Sequence, residues 1–127
     1  MRVLIVEDEK MLLTALTEEF KKRGVYADVA ADGKEALERL VKSDGYEVIV
    51  LDLILPFING VEVLKAIKQD VKWKGTSVVV LTNLSDERVI SSIIAAGGTD
   101  YLVKADYTLK EVVNKILEIA SRPKLKR

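Results

Sequence analysis

Short apolar runs alternate along the chain with longer stretches in which apolar residues recur every three or four positions. Val3 to Val6 is a β-branched-rich run that predicts a strand buried on both faces. Met11, Leu12, Ala15, Leu16 and Phe20 follow at helical spacing, with Gly24 as a stop. Tyr26 to Ala30 reads as a second, weaker strand. Asp32-Gly33 is a turn, and Asp32 is placed to cap a helix carrying Ala36, Leu37, Leu40 and Val41. Val48 to Leu51 is the next apolar run and ends at Asp52. Pro56 and Gly60 break the chain before a helix with Val61, Val63, Leu64 and Ile67. Val78 to Leu81 is another buried strand, ending at Thr82. Ser85 and Asp86 are candidate caps for a helix with Val89, Ile90, Ile93 and Ile94, which Gly97-Gly98 stops. Tyr101 to Val103 is the last strand and ends at Lys104. Thr108 and Glu111 have capping-box spacing and open a helix with Val112, Val113, Ile116, Leu117 and Ile119.

Five strands thus alternate with five helices. Strands joined by crossover helices run parallel, and helices then cover both faces of one sheet. The expected fold class is α/β, a flavodoxin-like doubly wound (βα)5 sheet in the order 2-1-3-4-5.

Composition narrows the chemistry. The 127 residues suffice for one domain with one sheet, and no internal repeat is visible. Twenty basic residues balance 20 acidic ones, which argues against a broad nucleic-acid footprint. The absence of cysteine and histidine excludes disulfides, thiolate catalysis and a Ser-His-Asp triad, and makes zinc a poor fit. A metal here would sit on oxygens, as magnesium, manganese or calcium do. No apolar run approaches the roughly 20 residues of a membrane span, so a cytoplasmic location is expected.

In such sheets ligands bind outside the carboxyl ends of the strands. Strand 1 ends in Glu7-Asp8, strand 3 in Asp52, strand 4 in Thr82 and strand 5 in Lys104. Carboxylates held close repel one another unless a proton or a cation neutralises them, and an oxygen-only site suits Mg²⁺. A carboxylate beside such an ion can attack a phosphoryl group while a lysine and a threonine hold its other oxygens. Each residue also has a plainer reading. Glu7 and Asp8 could cap the first helix, Asp52 could be a turn residue, and Thr82 and Lys104 could be ordinary strand-end residues. Four such coincidences at strand ends are improbable together.

In order and spacing, four elements carry a resemblance: Val-Glu-Asp-Glu at 6–9, Asp52-x-x-x-Pro56-x-x-x-Gly60, Thr82 after an apolar strand, and Ala96-Gly97 followed by Tyr101 and Lys104. The chain resembles the receiver domains of bacterial response regulators over residues 1–121, with 122–127 as a basic tail or the start of a linker. The resemblance implies Asp52 as phosphoacceptor, Asp8 as a direct Mg²⁺ (or Mn²⁺) ligand, Glu7 as a ligand through water, and the Ile54 backbone carbonyl as a further ligand. It implies that Thr82 and Lys104 contact the phosphoryl group and that Tyr101 is an aromatic switch coupled to Thr82. The implied partners are a sensor histidine kinase or histidine phosphotransfer protein and an unidentified output protein. Output would run through the face of helix 4, strand 5 and helix 5, with phosphorylation-dependent dimerisation left open.

The family pattern is not complete. Ala105 stands where a proline with a cis bond usually follows the lysine, and Asn83 stands where a small residue usually follows the threonine. Ile54 and Leu84, two residues past Asp52 and Thr82, are apolar and cannot orient a hydrolytic water, which implies slow self-dephosphorylation. Glu9-Lys10, Glu18-Glu19 and Lys21 to Arg23 read as solvated helix surface, and Trp73 has no assigned role. A phosphatase of the haloacid dehalogenase type would need a second Asp where Ile54 stands. A flavin-binding flavodoxin would need an anion-binding loop where Glu7-Asp8-Glu9 stands. A receiver fold that has lost phosphorylation remains a further alternative.

Overall fold

The computed structural model describes residues 1–73, 75–83, 87–95, 97 and 100–122. Strands β1 (Arg2–Val6), β2 (Tyr26–Ala30), β3 (Val48–Leu51), β4 (Ser77–Thr82) and β5 (Asp100–Val103) form one sheet in the order β2-β1-β3-β4-β5. Every pairing is parallel. The crossovers carry α1 (Lys10–Lys22), α2 (Gly33–Lys42), α3 (Gly60–Gln69) and α4 (Glu87–Ala95), and α5 (Leu109–Ala120) follows β5.

The period of two along each strand divides the core. Leu4, Val6, Ile49, Leu51, Val78 and Val80 face one way and pack with Ala36, Leu40, Val63, Leu64, Ile67 and Ile93 from α2, α3 and α4. Val3, Ile5, Val48, Val50, Val79 and Leu81 face the other way, onto Leu16, Phe20, Val113 and Ile116 from α1 and α5. Burial on both faces explains why the three central strands are unbroken apolar runs. The edge strand β2 is only half-buried, which accounts for its weaker pattern.

Side chains fix the helix starts. Asp32 accepts the Glu35 N–H at 2.7 Å, as its position predicts, and Asn59 does the same for Glu62 at 3.0 Å. Thr108 and Glu111 close a full capping box. Ser85 and Asp86 lie outside the described residues.

Three expectations from spacing change. Met11 and Val41 are 89% and 81% exposed rather than core-facing. Each follows or precedes a buried-stripe residue by one position, about 100° around the helix, and falls off the Leu12–Leu16–Phe20 and Ala36–Leu40 stripes. Glu19 is buried, with its carboxylate 3.1 Å from Arg23 Nε, and Arg23 also donates to Asn114 Oδ1 at 2.6 Å. That chain ties α1 to α5, so this part of the charged stretch is not solvated surface. Trp73 is buried in a 3₁₀ turn (Val71–Trp73) and stacks on Tyr46 with ring centroids 5.9 Å apart.

Candidate functional site

Register puts the acids together. Val6 pairs with Leu51, so β1 and β3 end side by side. The Asp52 N–H continues the ladder to Val6 O at 3.0 Å, and the Glu7 N–H bonds Ala30 O at 3.0 Å. Glu7, Asp8 and Asp52 each bring a carboxylate oxygen within 4.8 Å of the other two. Glu7 and Asp52 are buried, whereas Asp8 is exposed.

Lys104 reaches this group from the end of β5, one strand beyond β4. Its Nζ lies 2.6 Å from Glu7 Oε1, 2.9 Å from Asp52 Oδ2 and 3.0 Å from Glu9 Oε1. No described peptide bond is cis, so the Lys104–Ala105 bond is trans and Lys104 still meets Asp52. Glu9 is exposed, as its reading as helix surface implies, and is also a third partner of Lys104, while its own N–H donates to Glu7 Oε2 at 3.0 Å. The available signal was the unbroken Glu7-Asp8-Glu9 run facing one strand-end lysine.

Thr82 is fully buried as the last residue of β4, paired in register with Val103. The Ile54 N–H donates to Asp52 Oδ1 at 3.3 Å, while its side chain is exposed. Asn83 is exposed immediately after β4. Leu84 and Ala96 lie outside the described residues. Tyr101 is half-buried against the α2–α3–α4 side of the core, and its enclosed hydroxyl has no hydrogen-bond partner among the described residues. Burial, with the nearby Asp106 charge, pushes that phenol above its ordinary range. Gly60, expected only as a chain breaker, packs its Cα against the Asp52 and Leu53 backbone and donates its N–H to Leu53 O at 2.9 Å.

The electrostatics are strained. Burial pushes the Glu7 carboxyl up to about 7, and the Asp52 charge adds to this. The Lys104 ammonium and the Glu9 N–H pull it the other way without prevailing. Burial also works against the Lys104 charge, but its bonds to Glu7, Asp52 and Glu9 outweigh that and hold it above the ordinary lysine value. One ammonium therefore serves a group of acids too close to ionise freely. The donors are all oxygen and undercompensated in charge, which fits a hard divalent cation. A surface groove lined by Leu13, Thr17, Lys21 and Val29 among others lies along α1 and β2 and includes none of these residues.

Residues 3–117 match the family model of the response regulator receiver domain. The chain belongs to that family. The response regulator ArlR of Staphylococcus saprophyticus is 33% identical over 121 residues, covering 95% of this chain and 53% of ArlR. The receiver thus spans about half the length of the curated relatives it matches. The chemotaxis response regulator CheY4 of Vibrio cholerae superposes with a TM-score of 0.84 at 26% identity, over 93% of this chain and 97% of CheY4. The receiver domain of a Pseudomonas aeruginosa PAO1 sensor histidine kinase shares the fold at TM-score 0.83 and 21% identity, over 95% of this chain and 98% of that one. That structure holds a magnesium ion in its active-site cleft. The receiver is therefore a CheY-like, flavodoxin-fold signalling module of two-component systems.

Proposed function

We propose that Asp52 is the phosphoacceptor of this receiver. The observation that carries this is the junction of a buried Asp52 with the Lys104 ammonium at 2.9 Å, beside Glu7 and Asp8. The chain has no histidine, so the phosphoryl group comes from a histidine kinase or histidine phosphotransfer protein. An Asp52 carboxylate oxygen forms the new O–P bond as the donor's P–N bond breaks, and the electron pair leaves with the imidazole nitrogen. Lys104 and Thr82 hold phosphoryl oxygens, from the ends of β5 and β4. Glu7, Asp8, Asp52 and the Ile54 carbonyl would hold Mg²⁺, and Mn²⁺ would meet the same oxygens. Bound there, the ion offsets the charge of the acids and of the incoming phosphoryl group.

Phosphorylation then biases a two-state equilibrium through Thr82 and Tyr101. Tyr101 sits on β5, itself part of the α4–β5–α5 face through which partners are switched, with dimerisation as one outcome. Residues 1–121 are the receiver unit of this proposal; residues 123–127 of the tail lie outside the described residues. No helix among the described residues is long and apolar enough to cross a membrane, in keeping with work in the cytoplasm.

Incubation with Mg²⁺ and a small acyl-phosphate donor should add one phosphoryl group, about 80 Da by intact mass. Asp52→Asn and chelator should each reduce that gain to background, and a full gain in Asp52→Asn would refute the assignment. Self-dephosphorylation is expected to be slow, because the exposed Ile54 side chain beside Asp52 cannot hydrogen-bond a water. Ile54→Asn should shorten the phosphoryl lifetime about three- to tenfold, a barrier drop of about 0.7–1.4 kcal/mol. An unchanged decay of the phosphorylated mass would count against it.

A further inference from the structure

Phe57 has no part in that chemistry. Among the described residues it is the only non-glycine with a positive φ, at 67°. That region crowds the Cβ of an L-residue, and a bulky side chain is rare there. Its neighbours impose it. The Pro56 carbonyl accepts the Gly33 N–H at 3.4 Å. The Ile58 backbone lies so close to Gly33 that a Cβ there would overlap the Ile58 carbonyl oxygen. Both neighbours are thus pinned to the start of α2, and Phe57 between them turns left-handed with its side chain 85% exposed. Glycine would take this backbone without strain. Phenylalanine adds the strain and leaves its ring in water, and packing within the chain offsets little of either.

The position gives the ring a use. Gly60 packs on the Asp52 and Leu53 backbone, so the loop carrying Phe57 leaves and returns at the phosphoacceptor. In that loop Leu55 and Ile58 pack onto the core, whereas Ile54 and Phe57 face solvent. Asp52 itself is only 5% exposed. A phosphorylated imidazole must reach that carboxylate, so the protein bearing it has to lie against this loop. A small phosphodonor reaches Asp52 without touching Phe57. Single exposed aromatic residues are common on protein surfaces. Phe57 combines exposure with a costly backbone at the mouth of the site, and a rim aromatic buried by a partner is the kind of anchor that dominates an interface.

We infer that Phe57 is a donor-specificity residue: its ring seats in an apolar pocket beside the phosphohistidine of the donor protein and favours that protein over small phosphodonors. This rests on the reading of Asp52 as phosphoacceptor.

The test compares two donors, acetyl phosphate and the autophosphorylated transmitter region of a sensor histidine kinase, taken as the fastest donor among the kinases of the source genome. Phe57→Gly and Phe57→Ala should each lower kcat/KM for transfer from the transmitter about tenfold or more. The loss should lie in KM, with the rate at saturating receiver nearly unchanged. Rates with acetyl phosphate should stay within about twofold of wild type. Phe57→Tyr keeps the ring and should restore most of the transfer. The thermal midpoint of Phe57→Gly should not fall, since the backbone strain is relieved and little packing is lost. The inference is overturned if Phe57→Gly matches wild type with the transmitter, if both donors slow equally, if the midpoint drops, or if no transmitter labels a wild-type chain that acetyl phosphate does label. It is also overturned if transfer is unchanged while Phe57→Gly turns a wild-type dimer into a monomer in sedimentation, because a second copy then covers the ring. If neither donor labels wild type, it is the phosphoacceptor reading that fails.

Discussion

Gly60→Ala is expected to lower the thermal midpoint by roughly 5–10 °C, a destabilisation of about 2 kcal/mol. Two effects oppose each other at this position. Alanine in place of glycine restricts the unfolded chain and favours a helix by about 0.5–1 kcal/mol. Gly60 is the first residue of α3, however, and a Cβ there would overlap the Asp52 carbonyl oxygen and the Leu53 Cα. Both are backbone atoms, so no side chain can rotate away. Overpacking of this kind costs about 1–3 kcal/mol or more and outweighs the helix gain. The backbone that must yield is that of Asp52, and a displacement near 1 Å at a reacting group costs about a hundredfold in rate. The phosphorylation rate should therefore fall at least about tenfold, beyond what the lost stability explains. Gly75→Ala is the control: nothing lies within 4 Å of a Cβ there, and its midpoint should hold or rise slightly. Circular dichroism melts and initial rates by intact mass measure both. A Gly60→Ala midpoint at or above wild type would show that the α3 start shifts without cost.

That packing illustrates what the sequence could and could not show. Strand positions were legible because β1, β3 and β4 are buried on both faces and appear as unbroken apolar runs. The site followed from one rule, that parallel strands present their carboxyl ends to the ligand, applied to Glu7, Asp8, Asp52, Thr82 and Lys104. Relations between distant residues were not legible. Glu9 differs from any exposed helix-start acid only by a lysine 95 positions away. Glu19 and Arg23 have the spacing of a surface pair, and only the packing of α1 on α5 buries the acid. Gly60 looks like a breaker because what forbids its side chain is a backbone eight residues earlier, brought back by the β3–α3 loop.

In the presence of chelator, stability is expected to fall as pH rises from about 5 to about 7.5, opposite to the usual behaviour of a paired carboxylate. Burial, with the Asp52 charge beside it, lifts the Glu7 carboxyl from 4.5 to about 7, although Lys104 touches it. Between those values the folded chain binds a proton on Glu7 that the unfolded chain has released. Stability then declines with rising pH through this window and levels off above about 7. A shift of this size corresponds to roughly 3 kcal/mol. Lys104 does not blur the slope, because a raised lysine contributes fully below its ordinary range and loses that contribution only in strong base. The chain has no histidine, so no other side chain has its ordinary pKa near neutrality. Glu7→Gln should flatten the profile, since a neutral amide replaces the titrating acid at nearly the same size. Excess Mg²⁺ should flatten or invert it, because a cation favours the ionised carboxylate. Denaturant melts at several pH values, with chelator and with Mg²⁺, measure this. A chelated wild-type profile that rises from pH 5 to 7.5 would mean that Lys104 holds Glu7 ionised, and that the pocket is charge-balanced before any cation enters.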